Sequence, residues 1–388
     1  MPELLILIIL LFALCPLVYY AIAIFSSWRF SSQCEPKHAR APLFTPPVSQ
    51  LKPVKGADPD TYENFASFCR QDYPDYELLF CVDGPDAPAM DAIARLQREF
   101  PERSIRVLFG SNSSAANDKA AKLARLVNEA SHEVIVISDS DVRVRPDYLR
   151  TVVCRLSDAE VGAVTLPYVS INDRTFADRL QTIGMFSDFF AGIFVARQLD
   201  GIKFALGPTI ATTKTRLSRF GGYSAIEDRP GDDLLVGRLI AEQGYRVEML
   251  NYPLETVADF DSLRELLEKR LRWKVVMRCM RPWGHLGLIF TQGLPWSLLA
   301  AVIAPSLPIA LFYLSLYVLL RVALTWIIGI QCFKQDSLAS KLVLIPLWDA
   351  IAFGIWLISF TRRTLKWRGS NYYIRDGQLI PISETGQD

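Results

Sequence analysis

Between Leu4 and Phe25 the chain carries no charged residue. At about 1.5 Å per residue, a helix over this run is roughly 33 Å long, enough to cross a bilayer. Few other structures are open to such a stretch. Lipid tails satisfy no backbone N–H or C=O, and only a helix closes those groups within one segment. A cleaved signal peptide fits poorly, because no basic region precedes the run and no small-x-small site follows it. The same bias recurs at the other end. From Leu286 to Phe333 the only charged residue is Arg321, and a second apolar run follows Lys341 as far as Phe360.

Flanking charge sets the expected topology. Arg29, Lys37, Arg40, Lys52 and Lys55 follow the first run, while Glu3 precedes it. Basic residues stay on the cytosolic side, so the N-terminus is expected outside and the next domain in the cytosol. Arg362, Arg363, Lys366, Arg368 and Arg375 place the tail there too. A cytosolic domain and a cytosolic tail need an even number of spans between them. Two full spans plus a partly inserted segment satisfy this, giving three or four spans in all.

Between these ends lies a different pattern. From Val48 to about Asp259, apolar β-branched runs alternate with helical spacing, as in a nucleotide-binding α/β domain. The expected strands cover 77–82, 105–109, 134–137 and 161–166. The expected helices cover 87–100, 118–130 and 175–199, the last an amphipathic helix whose phenylalanines pack in the core or meet a lipid. Ser262-Leu263-Arg264-Glu265 is a capping box opening a basic helix of the kind that lies in a membrane interface. The division expected is an anchor at 1–27, a linker at 28–47, a catalytic α/β domain at 48–260, an amphipathic helix at 261–285, membrane segments at 286–360 and a tail at 361–388.

Global composition excludes several classes. A formal net charge of +1 gives no general attraction to nucleic acid. The seven cysteines form no C-x-x-C pair, and the three histidines complete no zinc-ligand spacing. Reduced, buried thiols are expected.

Three acidic clusters and two basic ones carry the chemistry. Val134-Ile135-Val136-Ile137 reads as a buried parallel strand that ends in Ser138-Asp139-Ser140-Asp141. Ligands bind at the carboxyl ends of such strands, and two carboxylates one residue apart can share a hard divalent cation, Mg²⁺ or Mn²⁺. Asp83 and Asp86 follow the first clear strand, 77–82, and could bind a nucleoside or simply form a turn. Lys119 and Lys122 open a helix where they could meet a diphosphate or solvent. Asp232-Asp233 begins a further helix, as capping residues or as a general base. Arg272-Trp273-Lys274 could cover a sugar and a leaving diphosphate, or anchor in lipid headgroups.

Asp83, Asp139-Ser140-Asp141, Asp232-Asp233 and Arg272-Trp273 stand in the order of the D, DxD, D, (Q/R)xxRW pattern. In this the chain resembles inverting GT-A glycosyltransferases, and more closely the ceramide glucosyltransferases of glycosyltransferase family 21 and their bacterial, hopanoid-pathway relatives. Val48–Gly56, Asp72–Glu77 and Leu166-Pro167-Tyr168 share the likeness. Two departures stand out. Lys269 occupies the Gln/Arg position, keeping charge but losing planar bidentate contacts. Ser187-Asp188-Phe189-Phe190 replaces a His-Pro-Arg-like segment of the animal enzymes.

The resemblance implies a GT-A α/β domain with transmembrane helices and an interface helix. It implies transfer of a hexose from a UDP-sugar to a hydroxyl of a membrane lipid, either ceramide or a hopanoid, at a bacterial inner membrane. Asp233 would be the base, with Asp232 beside it. Asp139 and Asp141 would hold the metal. Asp83, Asp86, Lys119, Asp139, Arg272, Trp273 and Lys274 would contact the donor. A processive polysaccharide synthase, a polyprenyl-phosphate sugar transferase and an inactive membrane scaffold are the rival readings.

Overall fold

The computed structural model describes residues 2–32, 44–58, 60–111, 115–171, 173–257, 260, 262–362, 364–367 and 370–382. The expected alternation resolves into strands β1 (Val48–Pro53), β2 (Tyr76–Val82), β3 (Ser104–Phe109), β4 (Val134–Ile137), β5 (Val142–Arg143), β6 (Val161–Thr165), β7 (Tyr168–Ser170), β8 (Ile210–Thr213), β9 (Arg246–Met249) and β10 (Leu254–Thr256). Seven of these form one sheet, in the order β3-β2-β1-β4-β8-β6-β9. β4 runs parallel to β1 but antiparallel to β8 on its other flank. The sheet changes direction there, beside the carboxyl end of β4, and that is where open α/β sheets form a ligand crevice.

A small sheet, β5-β10-β7, stands next to this crevice. It holds the Asp141 carbonyl through the Val257 N–H at 2.9 Å and carries Tyr168 on β7. The helices between strands start and end close to expectation, at Met90–Glu99 and Asp118–Glu129.

The amphipathic run 175–199 is not one regular helix. It is Phe176–Gly184, then a π-helical turn Met185–Phe189, then Phe190–Asp200. The wider turn shifts which residues face inward. Phe186, Phe190 and Phe194 are buried in the core, whereas Phe176 is exposed. Phe194 stacks on Phe30 at 4.6 Å, and Phe190 meets Phe333 at 4.7 Å. The catalytic domain is thus packed directly against the apolar helices.

The N-terminal helix spans Pro2–Ser31, four residues past the expected boundary at 27. Three helical stretches are long and apolar enough to cross a membrane: Glu3–Ser31, Leu307–Cys332 and Asp336–Thr361. A bent pair, Pro282–Thr291 with Gly293–Ile303, makes a fourth if it is one span. By length and composition this matches three or four spans. The basic helix runs Leu263–Met280, with the Ser262 side chain accepting the Glu265 N–H at 3.2 Å. Its cations do not all face outward. Arg270 is buried and donates to the Gln181 side chain at 2.9 Å.

The segment after Thr361 is more than a tail. It forms an antiparallel sheet of β11 (Thr364–Trp367), β12 (Ser370–Arg375) and β13 (Gln378–Pro381). Asp376 and Gly377 both take positive φ, 52° and 76°, as a two-residue hairpin turn requires. The sheet docks on the catalytic domain, with the Leu379 N–H donating to the Asp228 carbonyl at 2.7 Å.

The second C-terminal apolar run contains Asp349, which forms a buried forked ion pair with Arg321. Tyr317 donates to the same carboxylate at 2.8 Å. Removing one member of such a pair strands a buried charge, at a cost of about 3–5 kcal/mol. Asp349→Ala is therefore expected to lower the unfolding temperature in detergent markedly. Arg321→Met/Asp349→Leu should recover most of the loss, and thermal denaturation of the two variants checks this.

Candidate active site

The site is assembled from two helix starts and one strand end. Asn117 caps the helix Asp118–Glu129 by accepting the Ala120 N–H at 3.2 Å. Its side-chain amide also donates to the Arg229 carbonyl at 2.9 Å, and its N–H to the Glu227 carbonyl at 2.8 Å. One cap residue thus joins the helix that carries Lys119 to the loop that leads into Asp232 and Asp233.

Lys119 lies at the centre. Its ammonium is 2.6 Å from Asp139 Oδ1 and 3.6 Å from Asp232 Oδ2. Burial works against its charge. Asp139, Asp232 and Asp233 together outweigh burial and raise its pKa above the ordinary lysine value. Gly207 forms the floor: a Cβ there would fall 3.2 Å from Asp233 Oδ2, 3.3 Å from Asp139 Oδ2 and 3.5 Å from Lys119 Nζ. Asp139 and Asp233 therefore border one small space. The loop bearing Gly207 is pinned by Thr165, which accepts the Leu206 N–H and donates to the Thr209 carbonyl, both at 2.8 Å.

Asp232 and Asp233 differ in environment. Asp232 is buried, with Lys119 as its partner. Asp233 Oδ1 accepts the Leu234 N–H at 2.8 Å, leaving Oδ2 toward the shared space. Burial, and next the Asp232 charge, push Asp233 up to about 6. The Asp141 carboxyl is raised likewise by burial, then by Asp139 and Asp58.

Among the described residues, no group of three or more His, Cys, Asp or Glu side chains is placed to hold a metal. The two carboxylates of Asp139 and Asp141 nevertheless fit one. They repel each other in a buried setting, and Asp139 keeps one oxygen toward the open space. This suits a Mg²⁺-like cation, which commonly takes one or two carboxylates and completes its shell with phosphate oxygens and water.

Asp83 stands at the end of β2 and is bound by the buried Lys122, which also donates to the Val54 carbonyl at 2.9 Å. Lys122 therefore serves Asp83 and Asp118 rather than the space between Asp139 and Asp233. Asp86 is exposed in the following turn. Trp273 is half-buried against Phe189, at 5.6 Å between ring centroids, and Phe189 meets Tyr168 at 6.0 Å. Arg272 is half-buried on the same helix. Lys274 turns to Asp188 at 3.7 Å.

Four further contributors join these, and of them only Lys269 belonged to the motif reading. Lys52 on β1 is wholly buried over the Phe68 ring, 3.4 Å from its centroid, and donates to the Asp139 carbonyl at 2.9 Å. Burial lowers it to about 7, with Asp139 opposing. Asp58 accepts the Ser140 hydroxyl at 2.7 Å. Lys269 is tucked between Phe260 and Trp273, where burial depresses its pKa and the Asp141 charge opposes that shift. Gly207 is the fourth. A lone charge in an apolar strand was the available signal for Lys52. Gly207 gave none, because its role lies in what surrounds it.

A mixed sheet with paired carboxylates at its direction change, a lysine-held acidic pair opposite and an aromatic wall defines a GT-A glycosyltransferase. The model for "Glycosyl transferase family 21" matches residues 8–380, and the chain belongs to that family. It is a sugar-transferring enzyme by that membership. Ceramide glucosyltransferase 3 of Caenorhabditis elegans is 24% identical over 87% of this chain and 74% of its own length. Ceramide glucosyltransferase 1 of the same organism is 23% identical over 69% of this chain and 56% of its own. Among solved structures, the mannosyltransferase PcManGT from Pyrobaculum calidifontis, in complex with GDP-Man and Mn2+, superposes with a TM-score of 0.52 at 18% identity. That match covers 90% of this chain and 99% of that one.

Gly207→Ala forces the carboxylates apart by a few tenths of an ångström. It is expected to lower kcat roughly tenfold, as small misplacements of reacting groups do, with the unfolding temperature little changed. Steady-state kinetics with a matched melting curve checks this.

Proposed function

We propose that the protein transfers a hexose from a UDP-sugar, UDP-glucose first, to a hydroxyl of a membrane lipid of the ceramide type. A hopanoid or another bacterial glycolipid acceptor is the second choice. The observation that carries the reading is that Asp233 Oδ2 and Asp139 Oδ2 both border the space over Gly207. A base and a donor site share one space. The names of the curated relatives support ceramide, and the packing of this domain on apolar helices supports a lipid over a soluble acceptor.

Asp233 takes the proton of the attacking hydroxyl, with Asp232 holding Lys119 beside it. Attack on the face opposite the leaving group inverts the anomeric centre in one displacement. Asp139 and Asp141 would hold Mg²⁺ or Mn²⁺, which supplies charge for the leaving diphosphate when bound. Lys119 stands beside Asp139 on the leaving-group side. Asp83, oriented by Lys122, contacts the nucleoside, and Asp86 lies within the same turn. Trp273 and Arg272 cover the donor, with Lys274 held at the rim by Asp188. The basic residues flanking the apolar helices support a cytosolic catalytic domain; a bacterial inner membrane is part of the same proposal.

Protein in nanodiscs with Mn²⁺ and radiolabelled UDP-sugars, offered ceramide, diacylglycerol or a hopanoid extract, tests this. One small labelled ceramide product supports the first choice. Label in another lipid replaces the acceptor, and a polymer overturns single transfer. Asp233→Asn should abolish transfer while retaining UDP-sugar binding; substantial residual transfer would remove the base assignment. Asp141→Asn should weaken metal-dependent donor binding, read by titration with and without Mn²⁺. A base pushed up to about 6 is protonated below that value. The rate should therefore fall about tenfold per pH unit below 6, and a flat pH–rate profile down to pH 4.5 would contradict this.

A further inference from the structure

The helices Pro282–Thr291 and Gly293–Ile303 meet at a 49° bend. At membrane depth, non-helical backbone persists only where protein covers it or a polar cavity faces it. Tyr20 provides part of the cover. Its hydroxyl donates to the Thr291 carbonyl at 3.0 Å and accepts the Gly293 N–H at 2.9 Å. Beside the bend is a cleft of about 20 Å³, bordered by Tyr20, Ser187, Asp188, Gly293, Arg321 and Asp349. Roughly 10–15 Å³ suffices for one water molecule, so this cleft takes a single hydroxyl-sized group.

One wall has an unmet demand. Ser187 is 1% exposed, yet among the described residues its hydroxyl has no hydrogen-bond partner. A buried hydroxyl without a partner is costly, and the cost is removed if a ligand supplies the missing bond. The cleft's charges are already balanced: Arg321 is matched by Asp349, and Asp188 by Lys274 at 3.7 Å. A phosphate would find no unmatched cation among these four. A neutral hydroxyl would find both a carboxylate and a free serine hydroxyl.

The cleft also adjoins the catalytic chamber. Ser187 and Asp188 directly precede Phe189, whose ring touches Trp273 and Tyr168. Tyr168 lies within electrostatic reach of Asp233 and Asp139.

We propose that this cleft binds a hydroxyl of the acceptor's head and selects uncharged lipid heads over phosphate-bearing ones, an inference that rests on the lipid-acceptor reading above. Ser187 and Asp188 hold the group, and the bend at Gly293 keeps the helix backbone out of its way.

Photoactivatable ceramide and photoactivatable phosphatidic acid, each presented in nanodiscs to the full-length protein, test it by peptide mapping of the crosslinks. Ceramide label on the peptides containing Tyr20, Ser187 and Gly293, with little from phosphatidic acid, supports the site. Label confined to outward residues such as Val302 and Leu319, or equal label from both lipids, overturns it. This readout needs no turnover. A labelled cleft in a protein that transfers no sugar would sink the transfer reading and leave the site standing. In kinetics, Ser187→Ala should raise the acceptor KM roughly fivefold beyond any change in donor KM, as the loss of one hydrogen bond predicts. Among the described residues the Ser187 hydroxyl bonds nothing, so a merely structural role predicts no such split, and its absence would overturn the assignment.

Discussion

The Lys119 ammonium, set among Asp139, Asp232 and Asp233, is the interaction on which the site depends. Bringing those carboxylates into one half-buried space is unfavourable on Coulombic grounds, and each also loses hydration. A single cation in the first turn of its helix offsets both costs. The cap at Asn117 fixes that turn and, through Arg229 and Glu227, the loop before Asp232. Charge compensation and backbone geometry are therefore set by neighbouring residues of one helix end. Burial first, and then repulsion from the neighbouring carboxylates, raises the carboxyls of Asp141 and Asp233.

The second constraint is attachment. Phe30, Phe186, Phe190, Phe194 and Phe333 form a continuous aromatic contact between the N-terminal helix, the π-helical turn and the C-terminal helices. Burying such rings is among the largest packing contributions available. The catalytic chamber is thereby held at a set distance from the apolar helices instead of hanging on a linker. The C-terminal sheet reinforces this from the far side by gripping Asp228, four residues before Asp232.

Much of this was legible in the chain. The DxD pair, the Asp232-Asp233 pair and Asp83 stand at strand or helix ends where local pattern announces them, and the Arg-Trp motif lies within a helix opened by a capping box. Other parts were not legible. The 175–199 run has helical spacing throughout, and nothing local marks its switch to π geometry at Met185. The hairpin at Asp376-Gly377 did carry a turn signal, but the run of basic residues around it reads more simply as a tail. Lys122 and Lys119 look alike in sequence, one helical turn apart. Their different partners, Asp83 and Asp139, follow from where β2 and β4 end in the sheet.

The sequence by itself determined that apolar helices flank an α/β domain on both sides in the chain, and which carboxylates sit at that domain's strand ends. Those properties depend on periodicity and charge over short windows, which each segment carries alone. Only the tertiary structure decided that Gly207 is the floor between Asp139 and Asp233, that Lys52 supports the Asp139 carbonyl, that Lys269 faces Asp141, and that Arg321 finds Asp349. Each joins residues far apart in the chain. Their value comes from desolvation and distance, which exist only once the sheet order and the helix packing are fixed.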